Sequence, residues 1–335
     1  MMRVLVCFVT VFFGVVPVKA RTVELTLFPA KASEDAKKFR LLPTTDEQTD
    51  ADALPLYRKA IESLPQDLQK DKINEWLKMP PQDLPLEQVK SILGQFSSAL
   101  ELLKQAGLSR KCNWPTGEIE AATEDLSKYR QAAFILALQA RLQIAQGLSD
   151  EALSSIRTGL ALARHLGEAP TLIHGLVGVA IGALMCKQLE EVIQYPDAPT
   201  FYWALQGLPK PLVDLNKQLE MELANLKKQG DPVLRRQQEE QLKPGHDRVR
   251  VIGKRFDRDL AALQCVEAIR LYAGAHNGKF PDELSQITDL RIPDNPFDQK
   301  PFAYRKTGSK AVLESPAPQG GTDREALRYE LNLKE

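Results

Sequence analysis

The chain is 335 residues long, 43% hydrophobic and 26% charged, with 44 lysines and arginines balancing 44 aspartates and glutamates. That size and composition fit a soluble globular protein with a sizeable core and room for two domains. Net neutrality leaves no global field to draw the chain onto nucleic acid or an acidic membrane surface, and so argues against a nucleic-acid partner.

The first twenty residues stand apart. One positive charge in Met1-Met2-Arg3 precedes the apolar run Val4–Val18, and Val18-Lys19-Ala20 sets small or β-branched residues at the −3 and −1 positions of a cleavage site. This is the layout of a secretory signal peptide, and the run is shorter than the ~20 residues needed to span a bilayer. Residues 1–20 therefore predict a bacterial exported protein, periplasmic or extracellular after cleavage near Ala20, touching the membrane only through the transient signal. Cleavage removes Arg3 and Lys19 and leaves 42 basic against 44 acidic residues. Cys112, Cys186 and Cys265 remain, an odd number without Cys-x-x-Cys spacing, which supports neither a disulfide framework nor a zinc site. Cys186 and Cys265 lie in apolar helical stretches and read as buried small hydrophobes.

Residues 21–52 read as an extended arm and linker. "TVELTLFPA" alternates apolar and polar residues, and the polar stretch after it ends in a helix cap. From Leu54 the spacing turns helical, with Leu56, Tyr57, Ala60, Ile61 and Leu64 three or four apart. Pro65, Pro80, Pro81 and Pro85 cut the next region into short helices around Trp76. Residues 85–107 then read as one helix, proline first and glycine last. Residues 125–147 and 148–168 predict an antiparallel hairpin turning at Gly147-Leu148-Ser149-Asp150. Ala133, Ala137 and Ala140 permit close helix approach, and Leu153, Ile156 and Leu160 fill the groove. This hairpin resembles one tetratricopeptide repeat of ~34 residues.

Residues 171–186 are apolar all round and carry Gly175, Gly178 and Gly182. One reading is a membrane helix with a Gly-x-x-x-Gly dimer face. The other, favoured by the short run and by His174 inside it, is the central buried helix of an α-array. Residues 195–209 predict a short aromatic helix containing Tyr202 and Trp203, and residues 211–230 a longer solvated one. The charged segment 231–258 reads as a hinge with a solvated helix face, and the domain boundary falls there.

Residues 259–276 form a helix pattern, which Gly278 stops after His276 and Asn277. The period then changes to two around Phe302 and Tyr304, a turn falls at Thr307-Gly308-Ser309, and Val312-Leu313 begins a partner strand. The fold class is thus mainly α: a helical-hairpin array over 53–230, a charged hinge or helix over 231–258, and a small α+β module over 259–335, a helix on a short antiparallel sheet. The order helix, "LYAGAHNGKFPDEL", "DNPFDQKPFAYR", turn, "AVLESPAP" over 259–318 resembles the globular part of type II secretion major pseudopilins. That resemblance implies a fold and an envelope setting.

Chemistry is sparse. His165, His174, His246 and His276 include no i, i+4 pair, and neither a His-Glu-x-x-His, a Gly-x-Ser-x-Gly elbow nor a phosphate loop occurs. No cofactor or metal is expected. Arg164, His165, Glu168 and His174 could line an anion-binding groove or satisfy the turn at Gly167. Tyr202 and Trp203, if exposed on a concave face, would mark a partner surface. Two functions stay open. One is an exported non-catalytic scaffold of the bacterial cell envelope that binds a protein partner through its helical array. The other is a periplasmic enzyme or small-ligand binder with a site near Arg164, His165 and His174.

Overall fold

A computed structural model describes residues 21–65, 69–115, 126–227, 232–318 and 321–334, so the predicted signal peptide lies outside the described residues. The elements in chain order are β1 (Arg21–Leu27), α1 (Glu34–Lys38), β2 (Thr49–Asp52), α2 (Ala53–Glu62), α3 (Lys70–Trp76), α4 (Leu86–Gly94) and α5 (Ser97–Gly107). There follow β3 (Ser109–Lys111), α6 (Leu126–Ala145), α7 (Ser149–Gly167), α8 (Leu172–Val192), α9 (Tyr202–Gln206) and α10 (Leu215–Lys227). The chain closes with α11 (Pro232–Ala275), β4 (Ala303–Thr307), β5 (Lys310–Ser315) and β6 (Leu327–Leu333). The molecule is mainly helical with a small sheet assembled from strands near the two ends of the described chain.

The predicted hairpin is present as α6 and α7. Gly147, at φ +74°, makes the turn, a conformation that costs glycine little. Asp150 and Glu151 in the first turn of α7, and Arg164 in its last, complement the helix dipole. α8 packs on this pair and completes the central layer. Among the described residues it is the one helix long and apolar enough to cross a membrane by length and composition, and 56% of its most apolar window is buried inside the protein. Its glycines each meet a different neighbour: Gly175 faces Gln218 of α10, Gly178 the carbonyl of Ala163 in α7, and Gly182 the ring of Phe256 in α11. The small-residue face is spent on intramolecular contact. Arg141, 3% exposed, ties α6 to α8 through Glu191 at 3.2 Å and reaches the carbonyl of Met79.

Three elements differ from the sequence reading. Residues 85–107 divide into α4 and α5 at Gln95-Phe96, where Phe96 turns into the core at 3% exposure. The segment read as a hinge with a solvated helix face is helical from Pro232 and continuous with the helix after it, so α11 runs 44 residues, roughly 66 Å, through Pro244. The sheet is mixed rather than antiparallel, in the order β1-β6-β5-β4. β5 pairs antiparallel with β4 and β6, but the presumed arm β1 pairs parallel with β6, from Arg21 opposite Leu327 to Leu27 opposite Leu333.

One sheet face is buried through Leu25, Leu27, Leu313, Leu327, Tyr329 and Leu331. It is fixed to the helices by polar contacts. Arg21 bridges Glu190 of α8 at 2.8 Å and Asp259 of α11 at 2.7 Å, and the Tyr329 hydroxyl donates to Glu190 at 2.6 Å. Burial raises the Glu190 carboxyl above its usual range, against the opposing pull of Arg21. The helix–sheet corner behaves as the sequence predicts: α11 ends at Ala275, Asn277 and Gly278 take positive φ, and the Gly278 N–H donates to Ala273 O at 2.9 Å. Cys112, Cys186 and Cys265 are free and buried.

Candidate functional site

The structure gathers His165 and His174, but into the core. His165 is 2% exposed and shares a 2.9 Å hydrogen bond through Nδ1 with the Tyr57 hydroxyl. Burial, helped by neighbouring Arg164, pushes it down to about 4, so it is neutral at physiological pH. His174 is 0% exposed and bonds the Thr171 hydroxyl. Trp114 joins the two: its indole N–H donates to the His165 carbonyl at 2.8 Å, and its ring meets His174 edge-on at 5.1 Å. Tyr57 and Tyr129 complete an aromatic cluster. This corrects the anion-groove reading, because these histidines staple α7 and α8 to the loop that carries Trp114. Arg164 points away to a surface ion pair with Glu168 at 3.3 Å.

Tyr202 and Trp203 do not form an exposed aromatic face. Tyr202 is 1% exposed and donates its hydroxyl to the Arg291 carbonyl at 2.6 Å. Trp203 is half-buried against Tyr202, with the Lys37 ammonium 5.9 Å from its ring centre. Both act as joints between the array and the C-terminal segment.

Two open concavities carry the polar chemistry instead. The first is a groove of about 500 Å³ between the α4–α5 pair and the α6–α7 pair. Leu93, Leu100, Leu136 and Leu142 form its floor, while Lys90, Glu101, Lys104, Gln139, Gln146 and Glu151 reach its rim. Leu148, 41% exposed, stands at the α6–α7 turn beside it. An apolar floor under amides and both signs of charge suits an extended polypeptide segment, whose side chains and backbone need both.

The second is a cleft of about 510 Å³ where the end of α9 and residues 208–211 face α11 and the loop 291–299. Lys210, Asp257, Arg291 and Asp294 line it, with Leu205, Leu208, Leu260 and Ala261 between them. Burial, reinforced by Asp214, pushes the Asp257 carboxyl up to about 6. Burial and the neighbouring charge of Arg291 lower Lys210. Sequence reasoning missed this cleft because its charges come from three distant segments with no common spacing. Among the described residues no group of three or more His, Cys, Asp and Glu side chains could hold a metal ion.

The Asp257 shift has a definite sign. A carboxyl raised from 3.8 to about 6 in the folded state is destabilising once ionised; the penalty is absent below pH 4 and complete above about pH 6. Asp257→Asn is therefore expected to stabilise the protein by ~1–2 kcal/mol at pH 7.5, allowing for solvent screening of this half-buried group. The gain should vanish near pH 4, as read by urea unfolding at the two pH values.

Comparison of the chain with protein-family models, curated proteins and solved structures found no match in any of the three.

Proposed function

We propose that this is an exported, non-catalytic interaction protein of the bacterial cell envelope that holds an extended segment of a protein partner in the groove of its helical array. In this reading α6 and α7 serve as a tetratricopeptide-like hairpin, and the segment 259–318 as a pseudopilin-like module that sets the array against an envelope assembly. The groove carries the reading: a leucine floor, an amide and charged rim, and the exposed Leu148 at one end. The apolar run before Ala20 supports export.

The test is photo-crosslinking in the producing cell, followed by fractionation of the envelope. A photoreactive residue replacing Gln139 or Gln146 should yield one recurrent protein adduct in the exported fraction. A control at Lys279, exposed and remote from the groove, should not. Lys104→Glu should diminish the adduct while leaving the protein folded. No adduct, or the same adducts from groove and control, would overturn the proposal.

A further inference from the structure

We infer that the cleft beside α11 is a second binding site, for a short zwitterionic peptide of about three residues with an apolar middle, its amino end at Asp257 and its carboxylate at Lys210 and Arg291. This site is separate from the array groove and does not depend on the role proposed for it.

The first argument is the state of the charges. The cleft charges differ from the paired, buried ones of the core, such as Arg270 with Glu267: Lys210, Arg291 and Asp294 are exposed at its mouth and Asp257 is half-buried. In the cleft, Lys210, Asp257, Arg291 and Asp294 have no ion-pair partner within 4.0 Å among the described residues. Lys210 makes only a long contact, 3.4 Å, to Gln264 Oε1. Two cations and two anions that face one cleft with apolar walls, without a direct ion pair between them, suit a ligand that carries both signs.

The second argument is spacing. Lys210 meets α11 at Gln264, and Tyr202 fixes the Arg291 backbone at the same level. Asp257 lies seven residues earlier on the helix, a rise of roughly 10 Å, with Leu260 and Ala261 between. Three extended residues span about 10 Å, so a tripeptide reaches from one charged end to the other while its central side chain lies on the leucines. A single amino acid, with its charges on one carbon, is too short to reach both.

The third argument is rigidity. Asn295, 3% exposed, organises the loop wall: its side-chain amide donates to the Ser315 hydroxyl at 3.1 Å, its carbonyl oxygen Oδ1 accepts from Phe297 N, and its backbone N–H donates to Lys300 O at 2.8 Å. The wall therefore needs little ordering on binding, which favours affinity for a small ligand. Asp257 adds a pH signature. Asp214, Lys210, Arg291 and Asp294 are the charged groups around it, and a peptide ammonium would hold it ionised, so binding weakens as pH falls below about 6.

Isothermal titration of the full chain with Ala-Leu-Ala tests this. Saturable binding is expected at pH 7.5, with dissociation constants of ~10 µM–1 mM. Acetylating the peptide's amino end, or amidating its carboxylate, should each weaken binding about tenfold. Asp257→Asn should erase the difference between the free and acetylated peptides. Lys210→Met combined with Arg291→Met should erase the difference between the acid and the amide. These cleft residues hold no partner that folding needs, so the variants keep the native circular dichroism that validates the comparison. No binding of Ala-Leu-Ala to folded protein, or discrimination at neither or only one end, would overturn the assignment.

Discussion

Glu267→Ala is expected to cost about 3–5 kcal/mol of stability, a large part of the roughly 5–15 kcal/mol that holds a domain folded. Glu267 is 0% exposed in the C-terminal part of α11. Its carboxylate accepts from Arg270 at 2.6 Å, from the Thr200 hydroxyl at 2.6 Å and from the Phe201 backbone N–H at 3.0 Å. Arg270, equally buried, uses its remaining donors on the carbonyls of Phe28 and Ala198, at 3.1 and 3.0 Å. One ion pair thus fastens the segment after β1 and the loop before α9 to the long helix. Removing the carboxylate strands a buried guanidinium, a hydroxyl and a backbone N–H together, and such groups are expensive when unpaired. Glu267→Gln keeps an acceptor in place and should cost roughly half as much. A urea midpoint that falls for alanine and less for glutamine, at unchanged slope, is the expected pattern. Equal midpoints for wild type and Glu267→Ala would mean the pair does not hold these segments.

Gly182→Ala should cost about 1–3 kcal/mol, and larger side chains at that position more. A Cβ at Gly182 would lie 2.3 Å from the ring tip of Phe256 and 3.0 Å from both adjacent ring carbons, and Phe256 is 3% exposed on α11. Neither helix can retreat freely, because interiors are close-packed. Shortening the opposing ring should relieve the conflict, so Phe256→Leu is expected to recover part of the loss in the double variant despite being destabilising alone. This positive coupling in thermal unfolding separates the intramolecular role of the glycine face from a dimer face. A dimer face would instead show a change in association state and no coupling to Phe256.

Local patterns were legible in the sequence where one neighbour decided the structure. The α6–α7 hairpin followed from its alanines and leucines and from Gly147. The β4–β5 hairpin followed from its period of two and the turn at Gly308. The burial of α8 followed from His174 within a short apolar run. What failed was decided by distant partners. Leu327, Tyr329 and Leu331 alternate as plainly as any strand, yet β6 makes sense only with β1 beside it, and no local signal joins Arg21 to Leu327. The charged residues 231–258 look like a hinge because the polar face dominates their composition, whereas Phe256 and Arg258 hold the helix to the core. His165 and His174 stood out as rare ionisable residues, but the aromatic ring that encloses them comes from Trp114, in a loop with no periodicity. Lys210, Asp257 and Arg291 become one site only through the fold.

The parallel pairing of β1 with β6 gives the protein a timetable. Leu25 and Leu27 are 0% exposed in the finished molecule, but the strand that pairs with theirs is the last element among the described residues, about 300 residues downstream. At synthesis rates of 5–20 residues per second, the first strand waits roughly 15–60 s for its partner. Until then Arg21 has no sheet to anchor, and neither end can mature without the other. A ribosome-bound or partly delivered chain therefore stays open at this seam however well its central helices have formed. For a chain proposed to leave the cytoplasm, final closure then falls on the far side of the membrane, once its last residues have crossed.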